Sequence, residues 1–381
     1  MSTTHDAGAL AREIPRAEPA ASVAVFAPAL LLSIELHRTA DDRDEVHLHA
    51  GGQGYWIARM IQALGVRPIP CAAVGGEPGD ALRSIIAADG LDARLTPMVH
   101  PNAVVMDDRR EGERALIAET PVPSLGRHEV DELYSAIVGA AITAGVCVLA
   151  GTQLAPMFDP DTFRRLVADL RRNEVTVVAD LCGPPLRSAL GSGLDVVKLS
   201  HEELVADGWA ERTSVAAIAD GIAGLHEAGA VAVVVSRQDR STIAGYDGRI
   251  VEVRSPALEV LDGRGGGDSM TAALAVAAAR GLAFEDGLRV AAAAAALNVS
   301  RHGLGTGRRD SIEDIAGRVE ITPVRGRLGE PTTSAALLAG MTKAELYERA
   351  KRLDIAGRST MRRGELLMAL GGNDDGDAPA T

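Results

Sequence analysis

The ten residues "LDGRGGGDSM", 261–270, set three consecutive glycines and an aspartate directly before the alanine-rich stretch "TAALAVAAARG". A glycine turn entering a helix presents unpaired backbone N–H groups and the positive end of the helix dipole, and so attracts anions. Arg264 beside it can add charge. An aspartate in such a place repels an anion unless it has a task, and taking the proton from a hydroxyl that then attacks phosphorus is one. Asp268 is therefore a candidate general base, and Gly265, Gly266 and Gly267 are candidate amide donors. The plainer alternative is that the glycines only permit close helix packing and Asp268 caps the helix.

Other nucleotide motifs are missing. The chain has three lysines, Lys198, Lys343 and Lys351, and none follows a glycine-rich strand exit, so there is no P-loop. A dinucleotide G-x-G-x-x-G after the first strand is also missing. His47 and His49 alternate along one strand and could chelate a metal, but without a third ligand they read equally as a polar face. Arg308 and Arg309 follow "HGLGTG" and either approach phosphates or sit on a solvated turn.

These residues need elements to hold them. From about Ser22, compact apolar runs ("SVAVFAP", "VRPIPCAAVG", "GVCVLAG", "EVTVVADL", "DVVKLS", "AVAVVVSR") alternate with helical stretches such as "YWIARMIQALG", "DALRSIIAADG" and "DPDTFRRLVADLRRN". That is the pattern of an α/β domain with a mostly parallel central sheet covered on both faces. "SIELHRTADDRDEVHLHA" and "NAVVMDDRREGERALIAE" instead alternate apolar and polar residues around charged turns, predicting hairpins with one wet face, suited to a lid or a homodimer contact.

Composition narrows the class. The chain of 381 residues is long enough for one large domain and an appendage, and its interior must be aliphatic, since aromatics are only 3%. A net charge of −13 argues against a general nucleic-acid or membrane-surface binder. Cys71, Cys147 and Cys182 lie in apolar runs without C-x-x-C spacing, so buried free thiols are expected. No apolar run reaches a membrane span of ~18 residues. The start, "MSTTHDAGALAREIPRAEPAA", lacks the pattern of a signal peptide, and the expectation is a cytoplasmic protein with a disordered tail over 1–20.

The stretch "LDGRGGGDSMTAALAVAAARG" resembles the D-T-x-G-A-G-D-S signature of the ribokinase-like (PfkB-type) carbohydrate kinases. The resemblance extends over about 21–320: "AGGQGYWIARMIQALG" is similar to the family's G-G-K-G-x-N and helix, and "AAVGGEPGDALRSIIAADGL" to the segment after it. Residues 149–190 resemble the 1-phosphofructokinase and tagatose-6-phosphate kinase branch. The resemblance implies a ribokinase-like fold with a β lid, and a kinase using ATP and Mg2+ to phosphorylate a sugar or sugar phosphate. It casts Asp268 as base and Gly265–Gly267, with Arg264, as the anion hole, and leaves Asp262 a supporting role. Glu203 of "KLSHEEL" matches the glutamate that acts on the magnesium shell, and Gly51, Gly52, Gln53 and Gly54 match the sugar-binding segment. No protein ligand binds the metal directly in this scheme.

Departures from the family pattern fall mostly on the acceptor side. Leu31 stands where the branch has the aspartate of P-A-x-D, Gln53 replaces a lysine and Trp56 an asparagine, and "HPNAVVM" lacks the arginine of T-R-x-N. Losing a lysine and an arginine removes charge-assisted contacts to a sugar phosphate, which predicts a less anionic acceptor. Ser200 replaces the asparagine of K-P-N-x-x-E, and Gln238 and Ser241 stand where the nucleotide loop has glycines. A non-catalytic sensor of sugar or nucleotide is the competing expectation.

Beyond about Ile321 the composition reads as a linker, 321–335, then a small module over 336–372 and an acidic disordered tail over 373–381. "MTKAELYERAKRLDIAGRSTMRRGELLMALGG" resembles the helix, extended loop, helix fold of the Rho N-terminal and SAP-type modules. Between Met341 and Leu370 basic residues outnumber acidic ones by three, in a chain that is −13 overall. Lys343, Lys351, Arg358, Arg362 and Arg363 are thus candidate contacts to single-stranded RNA or DNA, with protein docking as the alternative.

Overall fold

The computed structural model describes residues 21–112, 114–151, 157–238, 241–301 and 304–327, with isolated positions between 343 and 366. The order begins β1 (Ser22–Phe26), β2 (Leu31–Arg38), β3 (Asp44–Gly51), α1 (Gln53–Ala63), β4 (Arg67–Val74), α2 (Gly76–Ala88), β5 (Arg94–Pro97), β6 (Ala103–Asp108) and β7 (Ala115–Glu119). It continues α3 (Arg127–Ala144), β8 (Val146–Ala150), α4 (Asp161–Arg172), β9 (Thr176–Asp180), α5 (Gly183–Leu190), β10 (Leu194–Ser200), α6 (His201–Ala206), α7 (Val215–Glu227) and β11 (Ala230–Ser236). It closes with β12 (Thr242–Tyr246), β13 (Arg249–Arg254), α8 (Gly266–Ala279), α9 (Phe284–Val299), α10 (Arg309–Ala316) and β14 (Glu320–Arg327).

The large sheet runs β14-β13-β12-β11-β10-β9-β8-β1-β4-β5. Pairing is parallel from β5 through β11 and turns antiparallel between β11 and β12. β1 is the switch point: the strands that follow it are laid down first on one side and then on the other, which leaves a crevice at the carboxyl ends of the central strands. All six apolar runs form strands of this sheet, and their interiors are buried Val, Ala, Leu and Ile. The two wet hairpins form the separate sheet β3-β2-β6-β7, the expected lid. Its apolar face, Leu32, Ala50 and the partly buried Ile34 and Val104, packs with Tyr55 and α2.

The chain divides into a large unit, Met1–Gly245 with Val251–Thr322, and a small one, Tyr246–Ile250 with Pro323–Thr381. The expected linker from 321 begins differently: Glu320–Arg327 is a strand. Its "EITPVRGR" carries β-branched Ile, Thr and Val, and a proline is tolerated in a strand at the edge of a sheet. Most of the expected 336–372 module, and the tails over 1–20 and 373–381, lie outside the described residues. Of the module, positions 343, 346, 347, 351 and 363–366 are helical, with Leu346 and Leu366 fully buried. Cys71 and Cys147 are buried free thiols, while Cys182 is half-buried. Among the described residues no helix is long and apolar enough to cross a membrane.

Candidate active site

Two glycine motifs meet at the crevice. The first is a packing device: a Cβ on Gly54 would lie 2.3 Å from that of Ala27, so α1 can start against the exit of β1 only with glycine there. Gly52, at φ +106, makes the entry turn. Together they deliver Gln53, whose side chain hydrogen-bonds the Asp268 carboxylate while its Oε1 is buried without a partner. Gly51 closes β3 against Leu31.

The second motif opens α8. Gly265 is left-handed at φ +71, and the first helical bond runs from the Ser269 N–H to the Gly265 carbonyl at 2.9 Å. The amides of Gly266, Gly267 and Asp268 thus precede the helical ladder, as an anion cradle requires. The fully buried Asn298 of α9 pins the turn from behind: its Nδ2 donates to the Arg264 carbonyl at 2.9 Å and its Oδ1 accepts the Gly305 N–H at 3.0 Å. Asn298 was not singled out from the sequence, although it is the only asparagine in the alanine-rich α9.

Strands β9 and β10 contribute a second layer. Asp180, 1% exposed at the end of β9, faces Lys198 of β10, 4% exposed, with Nζ 3.2 Å from Oδ2. The Thr271 hydroxyl of α8 donates to the same carboxylate oxygen at 2.6 Å. Burial works against the Lys198 ammonium, but Asp180, Asp268 and Glu203 outweigh it and hold its pKa above the ordinary lysine value. Asp268 is pushed up to about 7, first by burial and then by Asp180 and Glu203, against the pull of Lys198 and the Gln53 hydrogen bond. A carboxyl group poised near neutrality can accept a proton at physiological pH without being held permanently ionised.

Glu203 is fixed by its neighbour. Its Oε2 accepts the Ser200 N–H at 2.8 Å, and the Ser200 hydroxyl accepts the Glu203 N–H at 3.1 Å, a reciprocal capping box at the start of α6. The serine in place of the family's asparagine is thus the N-cap that orients the glutamate. In the loop after β11, Gln238 has a left-handed backbone at φ +42, and its side chain donates to Glu202 at 2.7 Å. Arg237 donates to the Ser241 carbonyl and hydroxyl at 2.8 and 2.6 Å.

The side of the crevice that faces the lid is built differently. Arg264 is turned back onto Asp262, with Nη2 to Oδ2 at 2.6 Å, so its guanidinium is already answered by a carboxylate. On the lid, Arg109 pairs with Glu35 at 3.2 Å and Arg114 with the buried Asp107 at 2.7 Å. Glu35 and Asp107 act electrostatically on Arg264, and Arg109 on Asp262, so the charged lid face looks onto this turn. Leu31 lines a cavity of about 420 Å³ with Val105, Arg114, Leu116 and Glu119. Trp56 packs edge-on to Tyr55 with Arg59 over its ring at 5.8 Å.

His47 stacks on His49 at 6.0 Å and meets His37 at 5.0 Å, but no cluster able to hold a metal occurs among the described residues. Arg308 and Arg309 pair with Asp310 and Glu313 on an exposed helix.

Comparison with known proteins bears on the fold and the family. An ATP-dependent 6-phosphofructokinase isozyme 2 of Mycobacterium tuberculosis is 26% identical over 270 residues, covering 69% of this chain and 78% of its own length. The bifunctional protein HldE of Geobacter sulfurreducens is 27% identical over 276 residues, and there the match spans only 54% of the relative. The fold is shared with the phosphofructokinase-2 of Escherichia coli in complex with fructose-6-phosphate, at a TM-score of 0.67, 21% identity and coverage of 78% and 98% of the two chains. A putative phosphofructokinase from Staphylococcus aureus gives 0.67 at 19% identity, covering 80% and 99%. The description "pfkB family carbohydrate kinase" matches residues 29–310, and the chain belongs to that family.

Proposed function

We propose that this carbohydrate kinase transfers the γ-phosphoryl group of ATP to a sugar hydroxyl, with Asp268 as general base and the amides of Gly265, Gly266 and Gly267 as the anion hole. The observation that carries the reading is the position of Asp268 in the first turn of α8, directly after Gly266 and Gly267 whose amides precede the helical ladder and Gly265 at φ +71; burial raises its carboxyl to about 7. Phosphoryl transfer asks the protein chiefly for positioning and charge stabilisation, and this arrangement supplies both beside one proton acceptor.

Magnesium, when bound, neutralises phosphate charge. The oxygen donors here suit it: Glu203 keeps one carboxylate oxygen outside the capping box, able to face the ion's water shell. Asp268 takes the acceptor proton at its carboxylate, while Gln53 orients it and the lid shields the reacting hydroxyl from water. The acceptor is a sugar less anionic than a sugar phosphate, since Arg109, Arg114 and Arg264 are each paired with a carboxylate and Leu31 and Gln53 offer no charge. Placement in the 1-phosphofructokinase branch rests on residues 149–190 alone, and the lid sheet is the surface through which a homodimer would form.

The test is incubation with magnesium-ATP and a panel of sugars, sugar phosphates and nucleosides. Product that vanishes in Asp268→Asn supports the reading; nucleotide binding without any transfer overturns it in favour of a sensor. The basic 336–372 module supports a separate proposal, contact with single-stranded nucleic acid. Salt-sensitive binding lost on deleting residues 336–381 supports it, and equal affinity of the truncated chain rejects it.

A further inference from the structure

We infer that the cavity on the charged face of the lid is a subsite for an apolar, uncharged substituent of the acceptor, so that the substrate is a sugar carrying an alkyl or aryl group, a glycoside. The inference deepens the reading of Asp268 as the base that deprotonates a sugar hydroxyl, and rests on it.

The cavity begins beside that base. Leu31 pairs with Gly51 across β2 and β3, and a Cβ on Gly51 would lie 2.7 Å from Leu31 Cδ1. Gln53, two residues on, hydrogen-bonds the Asp268 carboxylate. The Gly51–Gln53 turn therefore connects a group resting on Leu31 to the reacting end of the crevice.

Strand register makes this end of the lid apolar. Leu31, Ser33 and Glu35 of β2 share a face with Val105 and Asp107 of β6, opposite the Leu32, Ile34 and Val104 that pack toward α2. Between β6 and β7 the register shifts at Met106/Asp107: Met106 pairs with Ala118, but Asp107 pairs with Leu116. The bulge passes over Ile117 and turns Leu116 onto the face of Val105, where it remains 59% exposed. Leu31, Val105 and Leu116 thus line the cavity of about 420 Å³, within the span of roughly 300–1,000 Å³ common to small-molecule sites.

The charges at its edge disfavour an anion. Arg114 is answered by Asp107 at 2.7 Å, whereas Glu119, which also lines the cavity, has no ion-pair partner among the described residues. A lining with one answered cation and one unanswered carboxylate repels a phosphate. The three apolar side chains offer no donor or acceptor, so hydroxyls buried against them lose hydrogen bonds to water, while an apolar group gains by leaving it.

The experiment measures kcat/KM with magnesium-ATP for matched methyl and phenyl glycosides of glucose, galactose, mannose, fructose and ribose, together with calorimetric binding of the same compounds. Wild type is expected to prefer the phenyl over the methyl compound by about tenfold or more for the sugar it phosphorylates. Leu116→Ser, at an exposed position, is expected to fold and to cut that ratio about fivefold or more, and Leu116→Met to keep it within about twofold. A ratio near one in wild type overturns the inference, as does a preference for the free sugar or its phosphate. A ratio that Leu116→Ser leaves intact overturns it too, by placing the apolar group elsewhere, and so does the absence of binding by every glycoside. Preferential binding of phenyl glycosides without transfer to any of them would instead sink the kinase reading and leave the subsite standing.

Discussion

The two halves of the crevice use opposite strategies. The proposed donor half is made of backbone: Gly265 at φ +71, Gly267 against Lys198, and amides freed by the start of α8. The proposed acceptor half is made of side chains: Arg109 and Arg114 of the lid pair with Glu35 and Asp107, and Arg264 of the glycine turn pairs with Asp262. The glycine turn resists substitution, because a Cβ at 265, 266 or 267 would press on Asn298, Val299 or Lys198 packed against it. A face of paired side chains can change its specificity one residue at a time.

The largest test of the contrast is Asp268→Asn, expected to lower kcat by about 10²–10⁴-fold with little change in nucleotide affinity, read by ADP formation and calorimetry. Retention of transfer would break the donor-half assignment. Gly267→Ala should follow: the added methyl collides with the Lys198 ammonium, costing about 1–3 kcal/mol of stability in denaturant titration and most of the turnover. Gly54→Ala tests the scaffold alone, and the same order of destabilisation is expected from its 2.3 Å approach to Ala27.

Smaller effects address the acceptor half. Gln53→Lys with Leu31→Asp restores the family's charges and should lower KM for a sugar phosphate by roughly tenfold, the worth of about 1.4 kcal/mol, while leaving KM for ATP unchanged. An unchanged acceptor profile would show that the lid arginines, not positions 31 and 53, choose the substrate.

The smallest effect is a stability signature. The folded pKa of Asp268, about 7, exceeds the unfolded carboxyl value near 4, so folding binds a proton and the ionised group opposes folding at higher pH. Asp268→Asn should therefore raise Tm by a few degrees at pH 8, with the gain shrinking between pH 7 and 4 and vanishing below. A constant gain across that range would remove Asp268 from its desolvated setting.

The strands of the parallel sheet were legible because each is a short apolar run between turn residues, and the lid hairpins because their alternation is regular. Strand β14 is not legible, since "TPVRGR" carries proline, glycine and arginine, and an edge position that tolerates them is decided by a partner strand. Within the site, Asp268, the glycines and Glu203 stand in recognisable strings. The other participants do not: Asp180, Thr271 and Asn298 are single polar residues in apolar segments, and they acquire meaning only through each other.

By itself the sequence determined the glycine turn, the helix it opens and the residues that depart from the family pattern, because these depend on local backbone freedom and on residue identity at known spacing. What only the tertiary structure decided is the electrostatic state of the site. The proton affinity of Asp268 and the charge of Lys198 come from burial and from groups on β9, β10, α1 and α6 summed at one point. Desolvation and Coulomb forces act through space, so no reading along the chain contains them.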